Sequence, residues 1–505
     1  MQVKDQVIKK LLKHYKEISL LGKINSVLQW DLNVNLPSKG GEGRATQSAY
    51  IAKLITEKWN AAEYKRMIVE SDESDTKLSQ EEKAVVRNLK HASKFYYKVP
   101  KEIIIEFSEV TSKAFMVWQY AKRDNKFKDF LPHLKKVISL SKIIADKLTY
   151  VDNPYDALLD LYEPGLTTKD CKKIFGELQP ELTKLIKRIL GSKNYIDDSE
   201  LVDGKNRYSV ESQKQLADLV IKKMGYDLEA GRMDVSSHPF TDTLGRYDVR
   251  ITNRYKETDF RESLMGAMHE TGHALYEQGA DEEYENTPLD GGVSLGIHES
   301  QSRFWENQIG RSYEFVKFLL PKFQEIYSSQ FRGVEANDIF QSLNLVKPSF
   351  IRTEADEVTY NLHIALRFEI EEALINDRIK AEDLQEVWRE KMKKYLDLVP
   401  KTDREGVLQD VHWSGGMFGY FPTYTLGNLY AAQFTKSMRN EFEYERLVEK
   451  GDLGHILSWL RTNIHQHGSL YWPKELCRKI TGEELNPKYF LEYIKNKYYK
   501  IYDLK

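Results

Sequence analysis

The sequence predicts a mostly α-helical protein with one small β-sheet near the middle of the chain. Apolar residues recur every three to four positions along most of its 505 residues, as they do in amphipathic helices. One stretch, 245–255, instead alternates apolar and polar side chains as a strand does. The chain has 28 glycines, 14 prolines and no fixed-period repeat, so neither a long linker nor a solenoid is indicated. We therefore expect a single domain over residues 1–505.

The helical rhythm is sustained in ten segments outside the motif described below. These segments are residues 5–29, 80–95, 104–123, 133–149, 169–191, 211–224, 313–327, 358–376, 382–396 and 428–446. The alternating strand places Tyr247, Val249 and Ile251 on one face. The segment GGVSLGI at 291–297 is expected to form a second short strand beside it. The predicted architecture is a helical body that carries a small sheet.

Composition excludes several classes of protein. There are 75 Lys and Arg against 77 Asp and Glu, and this net charge of -2 argues against nucleic acid as the partner. The two cysteines, Cys171 and Cys477, are too few and too far apart for a disulfide scaffold or a cysteine zinc site. The first residues are charged throughout, and no window approaches the roughly 18–20 apolar residues of a membrane span. We predict a cytoplasmic protein without a membrane partner.

The stretch MGAMHETGHALYEQG at 265–279 contains an HExxH motif. His269 and His273 are four residues apart, so on a helix they share one face and their imidazoles can converge on one ion. Glu270 lies between them and can reach a water beside that ion. The alternative is that two unrelated histidines flank a charged residue on an ordinary helix.

The limits of this helix are also predicted from local signals. Asp259, with Glu262 three residues later, resembles a capping box at its start. Gly279 stands where a C′ glycine would end it. Gly266 and Gly272 lie inside the helix, where each costs about 1 kcal/mol relative to alanine. A close approach of another backbone element would account for them.

A third ligand is available in GIHESQSRFWEN at 296–307. Glu299 lies 26 positions after His273, and two histidines with one glutamate form a catalytic zinc set in which one coordination position stays open. Zinc lowers the pKa of a bound water and polarises a carbonyl oxygen. Glu270 would then act as general base, taking a proton from the water and passing it to the leaving amine. The predicted reaction is amide hydrolysis with one zinc ion per chain.

The HExxH motif, with HESQ at 298–301, resembles the carboxypeptidase Taq family of metallocarboxypeptidases. Further blocks that resemble the family, in family order, are LQWDLNVNLP at 28–37, LLDLYEPG at 158–165, HPF at 238–240, DVRIT at 248–252, IRTEAD at 351–356 and GVLQDVHW at 406–413. Leu36 stands where the family usually has methionine, which is a conservative change. The resemblance covers essentially the whole chain.

This resemblance implies properties that spacing alone does not indicate. The family fold is mostly α-helical, with two lobes around a long deep substrate groove and the metal at the floor of that groove. Family members are typically homodimers that use zinc and often accept cobalt. They remove single residues from peptides with a free C-terminus, with broad specificity, and they resist C-terminal proline. On this basis His269, His273 and Glu299 are the metal ligands and Glu270 is the general base.

The other blocks of the family supply candidate substrate contacts. Arg352 is the expected clamp for the terminal carboxylate, because a guanidinium pairs with a carboxylate through two hydrogen bonds. It would otherwise form a structural ion pair with Glu354 or Asp356. Arg250 is expected to line the groove, or else to be a solvated cross-strand partner. His238 is expected to line it too, or else to fix its loop by a hydrogen bond.

Two residues are candidates to stabilise the oxyanion. His412 or Tyr420 would donate a hydrogen bond as charge develops on the scissile carbonyl. The alternatives are a core histidine at 412 and a packed aromatic loop around Tyr420. Asp356 is a further candidate, to orient one of the zinc histidines.

Two rival interpretations of the whole chain remain open. HETGHALYE also resembles the oligoendopeptidases related to thimet oligopeptidase, which cut internal bonds in a similarly helical body. That family does not account for HESQ, IRTEAD and GVLQDVHW together. The second rival is a non-enzymatic helical scaffold with a vestigial motif, which the intact ligands and base argue against.

Overall fold

The computed structural model describes residue 1 and residues 3–196 and 198–504. It is mainly helical and contains one three-stranded sheet, as the sequence predicts. The first half contains α1 Gln6–Val34, α2 Gly41–Trp59, α3 Ala62–Glu70, α4 Gln80–Lys98, α5 Lys101–Asp124, α6 Phe127–Leu148, α7 Pro154–Leu159, α8 Thr168–Leu190, α9 Val210–Met224 and α10 Phe260–Gly279. The second half contains α11 Leu295–Arg303, α12 Tyr313–Ile326, α13 Ala336–Leu343, α14 Tyr360–Ile375, α15 Leu384–Leu396, α16 Pro422–Glu441, α17 Tyr444–Lys450, α18 Leu453–Asn463, α19 Pro473–Thr481 and α20 Lys488–Ile501. In the described residues we find no helix with the length and apolar character that a membrane crossing requires.

Nine of the ten segments with helical rhythm lie on helices, and the tenth is interrupted. Residues 428–446 were expected to be one helix, but α16 ends at Glu441 and α17 begins at Tyr444. The amide of Tyr444 donates to the carbonyl of Phe442 at 2.8 Å, which closes a tight turn in place of a helical i−4 bond. The apolar rhythm resumes after the turn, so the pattern alone does not reveal the break.

The predicted second strand at 291–297 is wrong. Its last three residues belong to α11, and Ser294 caps that helix by accepting a hydrogen bond from the amide of Ile297 at 3.1 Å. Before the cap, Gly291 has a positive φ of 75°, which an extended strand does not adopt. A short apolar run between glycines fits a strand and a capped helix equally well, so periodicity could not decide between them.

The chain divides into two compact units, each built from three segments. The first unit comprises Met1–Tyr96, Asp198–Leu343 and Phe434–Glu484, and the second comprises Tyr97–Asp197, Asn344–Gln433 and Leu485–Lys505. Neither unit is a consecutive stretch of chain, so no single linker in the sequence marks a boundary. The single domain over residues 1–505 stays a prediction.

The sheet of the first unit has the order β1-β3-β2, with β1 Met233–Val235, β2 Thr241–Gly245 and β3 Asp248–Asn253. β1 runs parallel to β3, whereas β2 and β3 form an antiparallel hairpin with an irregularity between Thr243 and Gly245. Of the predicted strand at 245–255, only residues 248–253 form β3. Gly245 ends β2, and Tyr247, expected on one face with Val249 and Ile251, lies exposed in the turn between the strands.

Helix α10 is packed between this sheet and α9. Val249 and Ile251 point inward from β3, and Ala267 and Ala274 present small side chains seven residues apart on one face of α10. Burying each of the larger side chains contributes about 1.5–3 kcal/mol to stability. Ile221 of α9 completes this core from the other side. The small sheet near the HExxH helix, expected from the sequence, is confirmed.

The second unit is centred on α14, in which almost every residue is buried. Its charged residues include Arg367, Glu371 and Glu372, none of which is more than 4% exposed. Buried charges of this kind are stable only when they are paired or hydrogen bonded. Arg367 and Glu371 find partners in the GVLQDVHW block and the loop after it, described below, whereas Glu372 pairs with Lys172 of α8 and accepts from Asn153.

Candidate metal centre

The start of α10 is capped as predicted, but without a capping box. The side chain of Asp259 accepts from the amide of Arg261 at 3.0 Å. Glu262 does not return the bond, because its carboxylate pairs with Arg254 at 2.8 Å and with Lys256 at 3.6 Å. The sequence therefore predicted the cap residue, Asp259, correctly. It did not predict that Arg254 and Lys256 would bind the Glu262 carboxylate and so prevent its return bond to the cap.

Gly272 and Gly279 of α10 are explained by close approach of other residues. A Cβ at position 272 would lie 2.6 Å from both the carbonyl oxygen of Gln301 and the Cα of Ser302, so only glycine lets α11 come this close. Gly279 was predicted as a C′ glycine, but it is the last residue of the helix and has no positive φ. A side chain there would meet His465, with Cβ 2.6 Å from the Nδ1 atom of that ring.

The contact at Gly272 brings Glu299 of α11 to the two histidines of α10. The Oε2 atom of Glu299 is 3.7 Å from Nε2 of His269 and 3.5 Å from Nε2 of His273. The three donor atoms lie within 4.8 Å of one another, and in the described part of the chain no other group of three such side chains meets this condition. Ligands about 2.0–2.2 Å from a tetrahedral ion stand roughly 3.3–3.6 Å apart, so these residues fit a zinc-class ion.

His269 is held from behind by Glu306. Its Nδ1 atom is 2.9 Å from Oε2 of Glu306. Arg303 contacts the same oxygen and Arg311 contacts Oε1, each at 3.1 Å. Arg303 also binds the far oxygen of Glu299 at 2.7 Å, so that carboxylate keeps its other oxygen toward the histidines. Since Glu306 faces Nδ1 and not Nε2, it supports a ligand and is not itself positioned as the third one. It lies in a π-helical segment, Phe304–Gly310, that continues α11, and such segments are frequent at functional sites.

The charges at this centre favour a cation. Burial raises the pKa of Glu299, but Arg303 and His269 outweigh it and hold that pKa well below its usual range. Burial lowers the pKa of His269, yet the charge of Glu299 and the hydrogen bond to Glu306 outweigh it and leave the pKa raised. Burial lowers the pKa of His273 to about 4, so this imidazole is neutral, the form that coordinates metals.

Glu270 is positioned by the sheet. The hydroxyl of Thr241, the first residue of β2, lies 2.7 Å from Oε2 of Glu270 and 2.9 Å from its backbone oxygen. Burial raises the pKa of the Glu270 carboxyl, and His269 and Thr241 oppose that rise. The sequence interpretation missed Thr241, although it directly follows the HPF block.

A second outer contact holds His273. Its Nδ1 atom is 2.6 Å from Nδ1 of His298, and the Nε2 atom of His298 is 2.8 Å from Oε1 of Glu277. The expectation that Asp356 orients a zinc histidine is wrong, because its two oxygens accept instead from Lys347, Val358 and Thr359 at 2.9–3.1 Å.

The HPF and DVRIT candidates both belong to the first unit. Arg250 on β3 forks onto Asp248 of the same strand, at 2.6 and 2.7 Å, and its guanidinium lies 5.5 Å from the ring centre of Trp30. Its partner is therefore two residues away on the same strand and not across the sheet. His238 is exposed, and its carbonyl accepts from the hydroxyl of Ser236 at 2.5 Å.

Arg352 belongs to the second unit and is buried. Its Nε atom pairs with Asp410 at 2.9 Å, and its Nη1 atom donates to the hydroxyl of Tyr360 at 3.0 Å. The expected alternative partners, Glu354 and Asp356, are thus replaced by Asp410 of the GVLQDVHW block. Within the described residues, Nη2 of Arg352 has no hydrogen bond, and the guanidinium lies 4.8 Å from the ring centre of Tyr424.

Gln409 and Asp410 hold two arginines at once. Asp410 also pairs with Arg367 of α14, at 2.6 Å, and the amide oxygen of Gln409 accepts from the Arg352 backbone at 3.0 Å and from Arg367 at 2.7 Å. Burial raises the pKa of Asp410, but Arg367 and Arg352 outweigh it and keep that carboxyl ionised. This network explains why Gln409 and Asp410 occur together in the GVLQDVHW block, and it fixes the orientation of Arg352.

His412 and Tyr420 lie together in the second unit, with ring centres 5.3 Å apart. The Nε2 atom of His412 is 3.2 Å from the hydroxyl of Tyr424, while its Nδ1 atom is buried without a partner in the described residues. Burial lowers the pKa of His412 to about 3, so its ring is neutral.

Glu371 of α14 orders the loop that carries these two residues. It accepts hydrogen bonds from Tyr155 at 2.6 Å, from the indole of Trp413 at 2.8 Å and from the amide of Gly419 at 2.9 Å. Burial raises its pKa to about 7. Sequence analysis missed Glu371, because nothing in its local pattern separates it from the other acidic residues of the helix.

A helix-borne HExxH whose histidines meet a glutamate from the next helix defines the class of metal-dependent peptidases with two histidines and one glutamate at the metal. Within that class, the chain belongs to the carboxypeptidase Taq (M32) metallopeptidase family, whose model matches residues 10–498. It is accordingly a metallocarboxypeptidase that acts on peptides and requires a metal ion. The resemblance stated from the sequence is confirmed.

The chain is similar to its relatives along nearly its whole length. Thermostable carboxypeptidase 1 of Pyrococcus furiosus is 42% identical over 98% of this chain and 99% of the relative. Carboxypeptidase 1 of Bacillus subtilis is 40% identical over 96% of this chain and 97% of the relative. A solved structure of the Pyrococcus furiosus carboxypeptidase matches with a TM-score of 0.95 over 98% of this chain and 99% of that one. An M32 carboxypeptidase structure from Deinococcus radiodurans also matches with 0.95, at 34% identity over 99% of this chain and 100% of that one.

Proposed function

We propose that this enzyme is a zinc-dependent carboxypeptidase that releases single residues from peptide C-termini with broad specificity. The observation that carries the proposal is the convergence of Nε2 of His269, Nε2 of His273 and Oε2 of Glu299. Two imidazoles and one carboxylate are a donor set of catalytic zinc sites, which keep a coordination position for substrate. Cobalt, which accepts the same donors, is expected to substitute.

The proposed division of labour assigns proton transfer to Glu270. A divalent ion held by the three ligands supplies polarisation of the scissile carbonyl and activation of water. Thr241 engages Oε2 of Glu270, and Oε1 has no hydrogen bond within the described residues. Oε1 then accepts a proton from the attacking water and passes it to the leaving amine.

Substrate recognition is assigned to Arg352. A guanidinium held at Nε by Asp410 and at Nη1 by Tyr360 presents its Nη2 atom in a fixed orientation. This arrangement supports a role as the clamp for the terminal carboxylate. Arg250 is the weaker candidate, because its fork is already occupied by Asp248. His238 stays a proposed substrate contact.

Stabilisation of the oxyanion that forms from the scissile carbonyl is assigned to His412 or Tyr420. His412 is neutral, buried and has an unpartnered Nδ1, which supports a role as a hydrogen-bond donor to developing negative charge. Tyr420 packs against His412 and Tyr162, with ring centres 5.3 and 5.2 Å apart, in a position where a hydroxyl donor would be held firmly. The homodimer, the cytoplasmic location and the absence of a nucleic-acid partner also remain predictions.

The proposal is tested by incubating the protein with a mixed peptide pool and identifying the products by mass spectrometry. We expect ladders that shorten one residue at a time from the C-terminus. Protein stripped by a chelator should be inactive, and zinc or cobalt should restore the ladder at one ion per chain. Internal cuts would favour the oligoendopeptidase alternative, and full activity without metal would exclude the metal mechanism.

Glu299→Ala is expected to weaken metal binding while leaving the fold intact. The substitution removes one of three ligands, so metal affinity should fall by more than the roughly 10- to 100-fold that removal of an outer contact costs. A large helical body with its own core does not depend on the metal to fold, so thermal unfolding of the metal-free variant should match that of the metal-free wild type. Glu306→Gln is the comparison, since Glu306 contacts His269 at its outer nitrogen Nδ1 and not at Nε2. If Glu299→Ala and Glu306→Gln lost the same amount of metal affinity, the assignment of Glu299 as ligand and Glu306 as its outer support would be contradicted.

A further inference from the structure

The two histidine ligands of the candidate metal centre have different neighbours at their outer nitrogens. Nδ1 of His269 lies against the carboxylate of Glu306, whereas Nδ1 of His273 lies 2.6 Å from another imidazole, that of His298. Two imidazole nitrogens at this distance form a hydrogen bond only if one carries the proton and the other does not. The identity of the donor is therefore decided by the rest of the network.

The proton positions follow from one assumption, that His273 binds metal through Nε2, which rests on the proposed function. A neutral His273 must then carry its hydrogen on Nδ1 and donate it, so Nδ1 of His298 is the acceptor. The hydrogen of a neutral His298 is consequently on Nε2, which lies 2.8 Å from Oε1 of Glu277. Each of the two hydrogens then has one acceptor, and this series of hydrogen bonds ends at the carboxylate of Glu277.

The ring of His298 is held in this orientation by its surroundings. A Cβ at position 292 would lie 2.7 Å from Cδ2 of His298, so the Gly292 backbone packs directly against the ring. The ring of Tyr276 faces it with centres 5.2 Å apart, and the amide of Gly292 also donates to Glu277 at 3.2 Å. The acceptor and the ring are thus positioned by the same short segment.

We propose that Glu277 and His298 form a hydrogen-bond relay that sets the tautomer and orientation of His273 for metal binding. His298 is a positioning residue, since it acts through His273. The relay makes the two ligands chemically unequal: a carboxylate directly behind His269 increases the electron donation of that ring more than a neutral imidazole does behind His273. His273 is accordingly the ligand that reaches a carboxylate only through a second histidine, so its tautomer depends on His298.

The test measures metal release from cobalt-loaded protein. We expect His298→Phe, which keeps a ring but removes both nitrogens, to release Co²⁺ to a chelator about 10 to 100 times faster than wild type. His298→Gln retains an acceptor oxygen and a donor amide in one side chain, so it should restore slow release in large part. The visible absorption bands of bound Co²⁺ should shift in His298→Phe and return toward wild type in His298→Gln, which a purely structural role would not produce.

His465→Gln is the matched control. His465 packs on the same Tyr276 ring at the same 5.2 Å, but its Nε2 pairs with Gln301 at 2.9 Å and it has no contact with His273. Its release rate and spectrum should equal those of wild type. Glu277→Met, which removes the terminal acceptor and keeps the side-chain length, gives a second route to the same answer if His298→Phe does not fold.

Wild-type release rates in both His298→Phe and Glu277→Met would overturn the relay while leaving the metal site intact. Two other outcomes would overturn the metal-site proposal itself, and the relay with it. One is that the wild-type protein takes up no Co²⁺, and the other is that Glu299→Ala binds Co²⁺ as tightly as the wild type. The two failures are therefore distinguishable in one set of measurements.

Discussion

Glu270→Gln is expected to lower kcat by about 100- to 10,000-fold or more while the metal content stays at one ion per chain. The amide cannot take a proton from water, so the variant loses proton transfer. It can still accept the hydrogen bond from Thr241, which lies 2.7 Å from Oε2 in the wild type, so the side chain should keep its position. Steady-state kinetics on one peptide, with metal analysis of the same preparation, measures both quantities.

Glu262→Gln is the control for this substitution. It makes the same chemical change on the same helix, at a residue that pairs with Arg254 and Lys256 outside the centre. Its activity should equal that of wild type. If Glu270→Gln also loses its metal, Glu270 holds the site together, and the assignment of proton transfer would have to be withdrawn.

C-terminal amidation of a peptide is expected to lower kcat/KM by roughly 30-fold to several thousand-fold, corresponding to about 2–5 kcal/mol. The reason is that an amide replaces the charge-assisted pair between the peptide carboxylate and the Arg352 guanidinium by a weaker neutral contact, while Asp410 continues to hold Nε. Arg352→Ala should lower activity on the free acid by a similar factor and remove the preference for acid over amide. The experiment compares one peptide with two C-terminal groups on two enzymes.

The network around Arg352 makes this substitution interpretable. In Arg352→Ala, Asp410 keeps its pair with Arg367 at 2.6 Å, so no carboxylate is left alone in the core. Arg404→Ala, at an exposed arginine of the same unit, controls for the loss of one positive charge and should retain the full acid preference. An Arg352→Ala enzyme that still prefers the acid as strongly as wild type would exclude the clamp and make Arg250 the next candidate.

The candidate metal site of His269, His273 and Glu299 could be predicted from the sequence because the geometry of its two histidines is local. The four-residue spacing of His269 and His273 places both rings on one helix face whatever surrounds the helix. Glu299 was within reach of sequence analysis only because its residue type and its HESQ context were specific. The mostly helical fold followed for the same reason, since an apolar rhythm of three and four is a property of consecutive residues.

The sequence by itself therefore predicted the class of chemistry, a candidate ligand set and about half of the helices in the described residues. Tertiary structure alone decided which side chains stand behind those ligands: Glu306 and not Asp356 for His269, the His298–Glu277 pair for His273, and Thr241 for Glu270. It also decided that Arg352 pairs with Asp410. These contacts join residues on different elements, and those of Glu306 and His298 with the two histidines exist because α11 can approach α10 at Gly272. Such an approach depends on packing in three dimensions, and no periodicity in the sequence encodes it.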